Sequence, residues 1–410
     1  MNDTKLDLVR GSLIGGAAGD ALGYPVEFSS YRRIVAEYGE RGITEYRLTH
    51  GVAEISDDTQ MTLFTANGML MGQTRGCMRG IGAPLETYVI YAYKDWYYTQ
   101  TKTYEVMTGP EDDIPLHRVT WLSDVPELYA RRAPGNTCLS AIAANIDGDT
   151  PQNNSKGCGG VMRVAPWPLF NACHYAFHYS TEEIDVAGGE IARLTHKHPL
   201  GWMPAIVLTH IIYRLVDDTP LAGLDKPAAR KAFADIVREA LQLLPELKVT
   251  HPASEEAWDT GRPLGEVFPK DVEYQSKLVE LALSLADNDR SDIENIDRLG
   301  GGWVGEETLA IAVYAVARHI DSFEDTLIAA VNHDGDSDST GAVAGNIIGA
   351  IVGYEAIPLK FKEHLELHNV ILAIADDLWQ GCIIGEYSSL NTPERQQWYN
   401  RYCKMKAAGI

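Results

Sequence analysis

LVRGSLIGGAAGDALG, residues 8–23, places Gly11, Gly15, Gly19 and Gly23 every four residues, and TGAVAGNIIGAIVGY, residues 340–354, repeats the device with Gly341, Gly345, Gly349 and Gly353. Four-residue spacing collects each set on one face of a helix. An interior glycine costs about 1 kcal/mol of helix propensity relative to alanine. Four in register therefore need a compensating close approach, either of helix to helix or of backbone to a ligand.

Working outward, SDDTQMTLFTANGML begins with Ser56 as an expected N-cap, and TCLSAIAANI, EEIDVAGGEIARLTH and GWMPAIVLTHIIYRLV carry apolar residues at three- and four-residue spacing. Strand-like stretches such as GITEYRL are short and few, and no GxGxxG follows a strand. The expected fold is all-α, a compact multi-helix arrangement. From about 217 to 298 the chain turns more polar, which reads as a peripheral helical elaboration; the core resumes at GGWVGEETLAIAVYAVARHI. No long linker interrupts residues 1–410, so a single domain is expected, with a C-terminal extension over about 358–410 packing against the body.

The 410 residues carry 35 Lys plus Arg against 57 Asp plus Glu, a formal net charge of -22. That field repels phosphate backbones and argues against general nucleic-acid binding. An anionic ligand would need local help from backbone amides, an arginine or a metal. The six cysteines are scattered with no CxxC pair, and MNDTKLDLVRGSLIGG has no uninterrupted apolar h-region, so a reducing, cytoplasmic setting is expected. The most lipid-like stretch, Gly341 to Gly353, is too short to span a bilayer, and no membrane partner is expected.

Two acidic clusters stand at helix starts: Ser56-Asp57-Asp58-Thr59, and Asp334-Gly335-Asp336-Ser337-Asp338-Ser339-Thr340. Each could simply cap its helix. If the helices lie side by side, four carboxylates and two hydroxyls converge, an arrangement that repulsion and desolvation oppose unless hard divalent cations balance it. All-oxygen donors select Mg²⁺, Mn²⁺ or Ca²⁺ over zinc, and the glycine positions do not follow an EF-hand loop. Glu27, after the helix-ending Gly23 and Pro25, could swing into the same site or lie solvated; Asp20, inside the glycine helix, is expected to hydrogen-bond to backbone or to a neighbouring polar group.

The stretch SKGCGGVMRVAP, residues 155–166, could expose the amides of Gly157, Gly159 and Gly160 as an anion-binding nest, with Ser155 adding a hydroxyl and Arg163 balancing an anion or a carboxylate. In RRAPGNTCLS, residues 131–140, Asn136 or Thr137 could cap a helix whose free amides meet phosphate. His196 and His198 read as C-terminal caps or ligand contacts.

In order along the chain, GSLIGGAAGDALGYPVE (11–27), ISDDTQMTLF (55–64), GCGGVMRVAP (157–166), TH (195–196), GWVGEE (302–307) and GDSDSTGAVAGNIIGA (335–350) resemble the ADP-ribosylglycohydrolase family. The resemblance implies an all-α fold with two Mg²⁺ per chain, Mn²⁺ being a substitute, held by Ser56, Asp57 and Asp58 on one side and Asp336, Asp338 and Ser339 on the other. It implies catalytic roles for Glu27, Asp57, Asp58 and Asp336. Substrate contacts would come from Asn136, Thr137, Ser155, Gly157, Cys158, Gly159, Gly160, His196 and Trp303. The activity implied is hydrolysis of the bond between ADP-ribose and a protein side chain, arginine foremost, releasing ADP-ribose. Serine-linked or other conjugates, and a non-catalytic immunity protein directed at an ADP-ribosylating toxin, are the alternatives. Cys158 stands where some serine-hydrolysing members carry asparagine, which weighs against serine-linked ADP-ribose.

Overall fold

A computed structural model describes residues 2–80, 82–83, 85–109, 118–174, 179–217, 221, 223–248 and 261–403. Helices dominate, and the only β pairing among these residues is four isolated bridges. GITEYRL forms no strand. The helices that position the site are, in chain order, α1 (Asn2–Gly23), α2 (Asp57–Arg79), α3 (Asn136–Ile146), α4 (Thr181–Arg193), α5 (Pro199–Asp217), α6 (Gly305–Arg318), α7 (Ser337–Val352), α8 (His368–Gln380) and α9 (Pro393–Tyr402).

The two glycine faces meet each other. α1 and α7 run antiparallel and form the most extensive helix pair among the described residues. A Cβ at Gly11 would strike the Gly349 carbonyl, one at Gly15 the Gly345 carbonyl, one at Gly19 the Gly341 carbonyl, and one at Gly23 the backbone of Ser337. Glycine is thus required by backbone-to-backbone approach. A polar lock fixes the register: Ser12 Oγ donates to the Asn346 carbonyl at 2.9 Å, and Asn346 Nδ2 donates to the Ser12 carbonyl at 2.8 Å. The antiparallel pairing carries the C-terminus of α1, with Glu27 just beyond it, to the N-terminus of α7, where Asp336 and Asp338 lie.

One buried apolar cluster extends from Leu8 to Tyr402. Among the described residues, the helix that most resembles a membrane span is α5, not the Gly341–Gly353 stretch. It is long and apolar enough to cross a bilayer, but 89% of its most apolar window is buried, which makes it a core helix. The expected C-terminal packing is present: on α9, Trp398 Nε1 donates to Thr74 on α2 at 2.9 Å, and the Tyr402 hydroxyl donates to Asp377 on α8 at 2.6 Å. Within the polar 217–298 stretch, Lys226–Leu243 and Pro269–Leu285 are helical; residues 218–220, 222 and 249–260, including most of HPASEEAWDTGRP, lie outside the described residues.

Candidate active site

Asp20 organises the first acidic cluster from behind. Buried on α1, its carboxylate accepts the Ser56 amide at 2.9 Å and the Thr59 amide at 3.1 Å, together with the Thr59 hydroxyl. A helix N-terminus favours negative charge, so Asp20 fixes the start of α2, as expected of a backbone-bonding acid. Ser56 caps that helix, its Oγ accepting the Asp58 amide at 3.2 Å. Its hydroxyl is therefore turned to α2 and does not line the cleft. Asp57 accepts the Gly135 amide at 3.2 Å, which ties α2 to the turn before α3.

The second cluster is set by a glycine-rich loop. Gly300 and Gly302 take φ of +119° and +76°, the left-handed region that favours glycine. Their loop lies against Gly335, and the Asp336 amide donates to the Gly301 carbonyl at 2.8 Å. Glu307 accepts the Gly301 and Gly302 amides at 3.0 and 3.2 Å, which locks the loop and presents Trp303 at the cleft mouth. Asp336 caps α7 and also accepts the Cys158 thiol at 2.9 Å.

Glu27, Asp57, Asp58, Asp336, Asp338 and Ser339 line one cleft of about 660 Å³, a volume that suits a nucleotide-sized ligand. Oxygens of Glu27, Asp336 and Asp338 lie within 4.8 Å of one another. All five acids are buried. Burial, reinforced by Asp336, Asp57 and Asp20, pushes Glu27 up to about 9. Burial likewise lifts Asp57 to about 8 and Asp20 to about 6, and holds Asp58 and Asp338 well above the carboxylate range. Glu27 Oε2 and Asp58 Oδ1 are buried without a hydrogen-bond partner. Orphaned oxygens in a crowded acidic cluster fit a site for hard cations, which would supply the missing partners and the opposing charge.

Asn136, Thr137, Gly157, Cys158, Gly159, His196 and Trp303 line the same cleft; Ser155 and Gly160 do not. Ser155 stands behind, hydrogen-bonded to Thr137 at 3.1 Å, and Gly160 is buried against the Gly201 carbonyl. The expected nest at 157–160 is partly spent, since the Gly157 amide donates to Ser155 Oγ and the Cys158 amide to the Trp303 carbonyl, both at 3.3 Å. Neither Asn136 nor Thr137 caps α3: the N-cap is Gly135, with no side-chain bond, because the chain turns at Pro134-Gly135. The first amides of α3 thus carry no side-chain cap. Arg163 balances neither an anion nor a carboxylate. Fully buried, it bonds Thr195 Oγ1 at 2.6 Å and the last carbonyls of α4, and lies over Tyr93. His196 is buried and held neutral, its pKa pushed down to about 3, with Nδ1 2.9 Å from Thr195 Oγ1. His198 bonds the Leu200 amide through Nδ1 at 3.0 Å and is not part of the cleft lining.

Phe28 and Arg131 also line the cleft, and sequence reading singled out neither. Phe28 is 75% exposed and stacks on Trp303 with centroids 5.8 Å apart and planes 23° apart. Its signal was an apolar residue directly after Glu27 in a turn. Arg131 lay within the quoted RRAPG stretch, where the amides drew attention instead. Its neighbour Arg132 is a support, pairing with Glu54 and Glu366.

Buried acids from two helix starts thus line one cleft, beside helix amides that no side chain caps. Residues 1–385 match the ADP-ribosylglycohydrolase family, and the chain belongs to it. Membership supports an enzyme that hydrolyses ADP-ribose conjugates. The chain is similar to the ADP-ribosyl-[dinitrogen reductase] glycohydrolase of Rhodospirillum rubrum, 24% identical over 369 residues, 88% of this chain and 91% of that one. It is also similar to ADP-ribosylhydrolase ARH3 of Bos taurus, 24% identical over 55% of this chain and 57% of that one, and to ADP-ribosylhydrolase ARH1 of Dictyostelium discoideum, 24% identical over 54% and 60%. A solved ADP-ribosylglycohydrolase-related protein complex shares the fold, with a TM-score of 0.56 at 20% identity over 92% of this chain and 99% of that one.

Proposed function

We propose that the protein hydrolyses the N-glycosidic bond between ADP-ribose and an arginine side chain of a modified protein. Two Mg²⁺ ions, replaceable by Mn²⁺, would be held by Asp57, Asp58, Asp336, Asp338 and Ser339, with Ser56 supporting the first group. The observation that carries the reading is the pair of orphaned buried oxygens, Glu27 Oε2 and Asp58 Oδ1, inside a cluster of five acids. Bound there, the ions would neutralise the carboxylates and supply Lewis acidity toward ribose hydroxyls and water.

The chain's own groups account for the remaining chemistry. Arg131 and the uncapped amides of α3 face the cleft and suit a diphosphate. Neutral His196 can hydrogen-bond substrate without adding charge. Glu27, buried in the cleft with one oxygen unpartnered, is placed to pass a proton to the departing guanidine nitrogen as the ribose C1–N bond breaks. In its ionised form it can take a proton from water as the C1–O bond forms. Support for arginine comes from the mouth: the Phe28–Trp303 stack offers exposed aromatic faces, on which a guanidinium stacks favourably. Cys158 lines the cleft, with its thiol hydrogen-bonded to Asp336. The six free cysteines suit a reducing compartment such as the cytoplasm.

The test is a matched release assay with arginine-linked and serine-linked ADP-ribosyl peptides, with and without Mg²⁺, alongside Asp57→Ala. Faster, Mg²⁺-dependent release from arginine, lost in the variant, is expected. Preferential release from serine would reverse the linkage, and absence of metal-dependent release from both would overturn the proposal.

A further inference from the structure

We propose that Cys77 and Cys382 are a reversible dithiol–disulfide pair that staples the segment after α8 to the C-terminal end of α2. The two residues are 305 positions apart in sequence, yet the fold brings them side by side. The Cys382 amide donates to Gln73 Oε1 at 2.9 Å, one helical turn before Cys77. A Cβ placed on Gly385 would stand 3.6 Å from the Cys77 carbonyl, so the 382–385 turn runs along that face of α2. The two side chains are near enough to shift each other's ionisation, and the Cys382 thiol donates to the Ile384 carbonyl at 3.2 Å. Cys77 is exposed, within reach of a dissolved oxidant, and Cys382 is half-buried behind it. Both lie outside the cleft lining.

The chemistry is asymmetric. Their proximity shifts the Cys77 thiol down and the Cys382 thiol up, and Cys77 is the one exposed to a dissolved oxidant. Cys77 is therefore the attacking thiolate. With glutathione disulfide as oxidant, Cys77 attacks one of its sulfurs, the S–S bond breaks and a glutathione thiolate departs. Cys77 then no longer carries the charge that holds the proton on Cys382. Cys382 loses that proton to solvent and attacks the Cys77 sulfur, and the second glutathione thiolate leaves. Two protein thiols are oxidised by two electrons, and one glutathione disulfide is reduced to two thiols. The closed loop spans most of the chain, so the cross-link would restrict the unfolded ensemble strongly.

The experiment exposes the full chain to glutathione disulfide and maps its peptides under non-reducing conditions. A Cys77–Cys382 cross-linked peptide, lighter by two hydrogens than its reduced pair, is expected as the main product, with a Tm raised by several degrees and restored by dithiothreitol. Cys382→Ser should instead accumulate the glutathione adduct on Cys77, with no rise in Tm. Recovery of wild-type Cys77 solely as the adduct or as free thiol, or of Cys382 paired with another cysteine, would overturn the proposal.

Discussion

Asp20 and Glu27 are both buried carboxyls raised above their usual range, yet they serve different ends. Asp20 has every reason to ionise, since two amides and a hydroxyl meet it, whereas Glu27 keeps one oxygen without a partner. If Glu27 moves the proton, Glu27→Gln should lower kcat by about 10²-fold or more with little change in ADP-ribose affinity. Steady-state kinetics with saturating Mg²⁺ beside a binding titration checks this, and near-wild-type turnover would make Glu27 structural. Asp20→Asn, which weakens the cap on α2 without touching the cleft, should instead lower the apparent Mg²⁺ affinity while sparing kcat at saturating Mg²⁺. Much at this scale was legible because an acid in an apolar helix, or beside a helix start, announces a polar obligation. Arg163 was not legible, because its partners are carbonyls and a ring from helices that sequence alone does not bring near it. Phe28 escaped for the opposite reason, since an exposed aromatic has no periodicity to betray it.

The glycine spacing showed that α1 and α7 each present a small-residue face, but that the two faces meet each other needed the fold. Periodicity says that one face is small; it does not say what fills the gap. A methyl group at Gly19 would enter the Gly341 backbone, which cannot move aside as a flexible side chain can. Gly19→Ala should therefore destabilise the protein by about 2 kcal/mol or more, seen as a lower urea midpoint. Because the same pair aligns Glu27 with Asp336 and Asp338, it should also shrink the thermal shift on adding Mg²⁺. Gly76 on α2 is the control. Nothing lies within 4 Å of a Cβ there, so Gly76→Ala should be neutral or stabilise by up to about 1 kcal/mol. The loops were less legible than the helices. Sequence showed that glycines cluster at 157–160, but which amides stay free depends on the distant Trp303 carbonyl and on Ser155.

At the scale of the whole molecule, a chain of net charge -22 concentrates five buried acids in one cleft, and the metal-free protein must be strained electrostatically there. The sign of the pH dependence follows from folded pKa values of about 6 for Asp20, 8 for Asp57 and 9 for Glu27, all above their unfolded values near 4. Between about pH 4 and 9 the folded chain holds protons that the unfolded chain has released. These groups therefore lower stability as pH rises through that window. Cations would displace those protons, so the gain in Tm on adding Mg²⁺ should grow from pH 5.5 to 8, and chelation should reverse it. A Mg²⁺ shift that is constant or falls over this range would contradict the account. The overall all-α class and the shared cleft were foreseeable from ordered motifs, while the burial of α5 was not, since length and apolarity cannot tell a core helix from a membrane span. The most direct measurement is anomalous diffraction from crystals grown with Mn²⁺. The account predicts two Mn²⁺ sites in the cleft between Asp57–Asp58 and Asp336–Asp338, both lost in Asp336→Ala. Mn²⁺ at one cluster alone, or no Mn²⁺ in the cleft, would contradict a centre built from both helix starts.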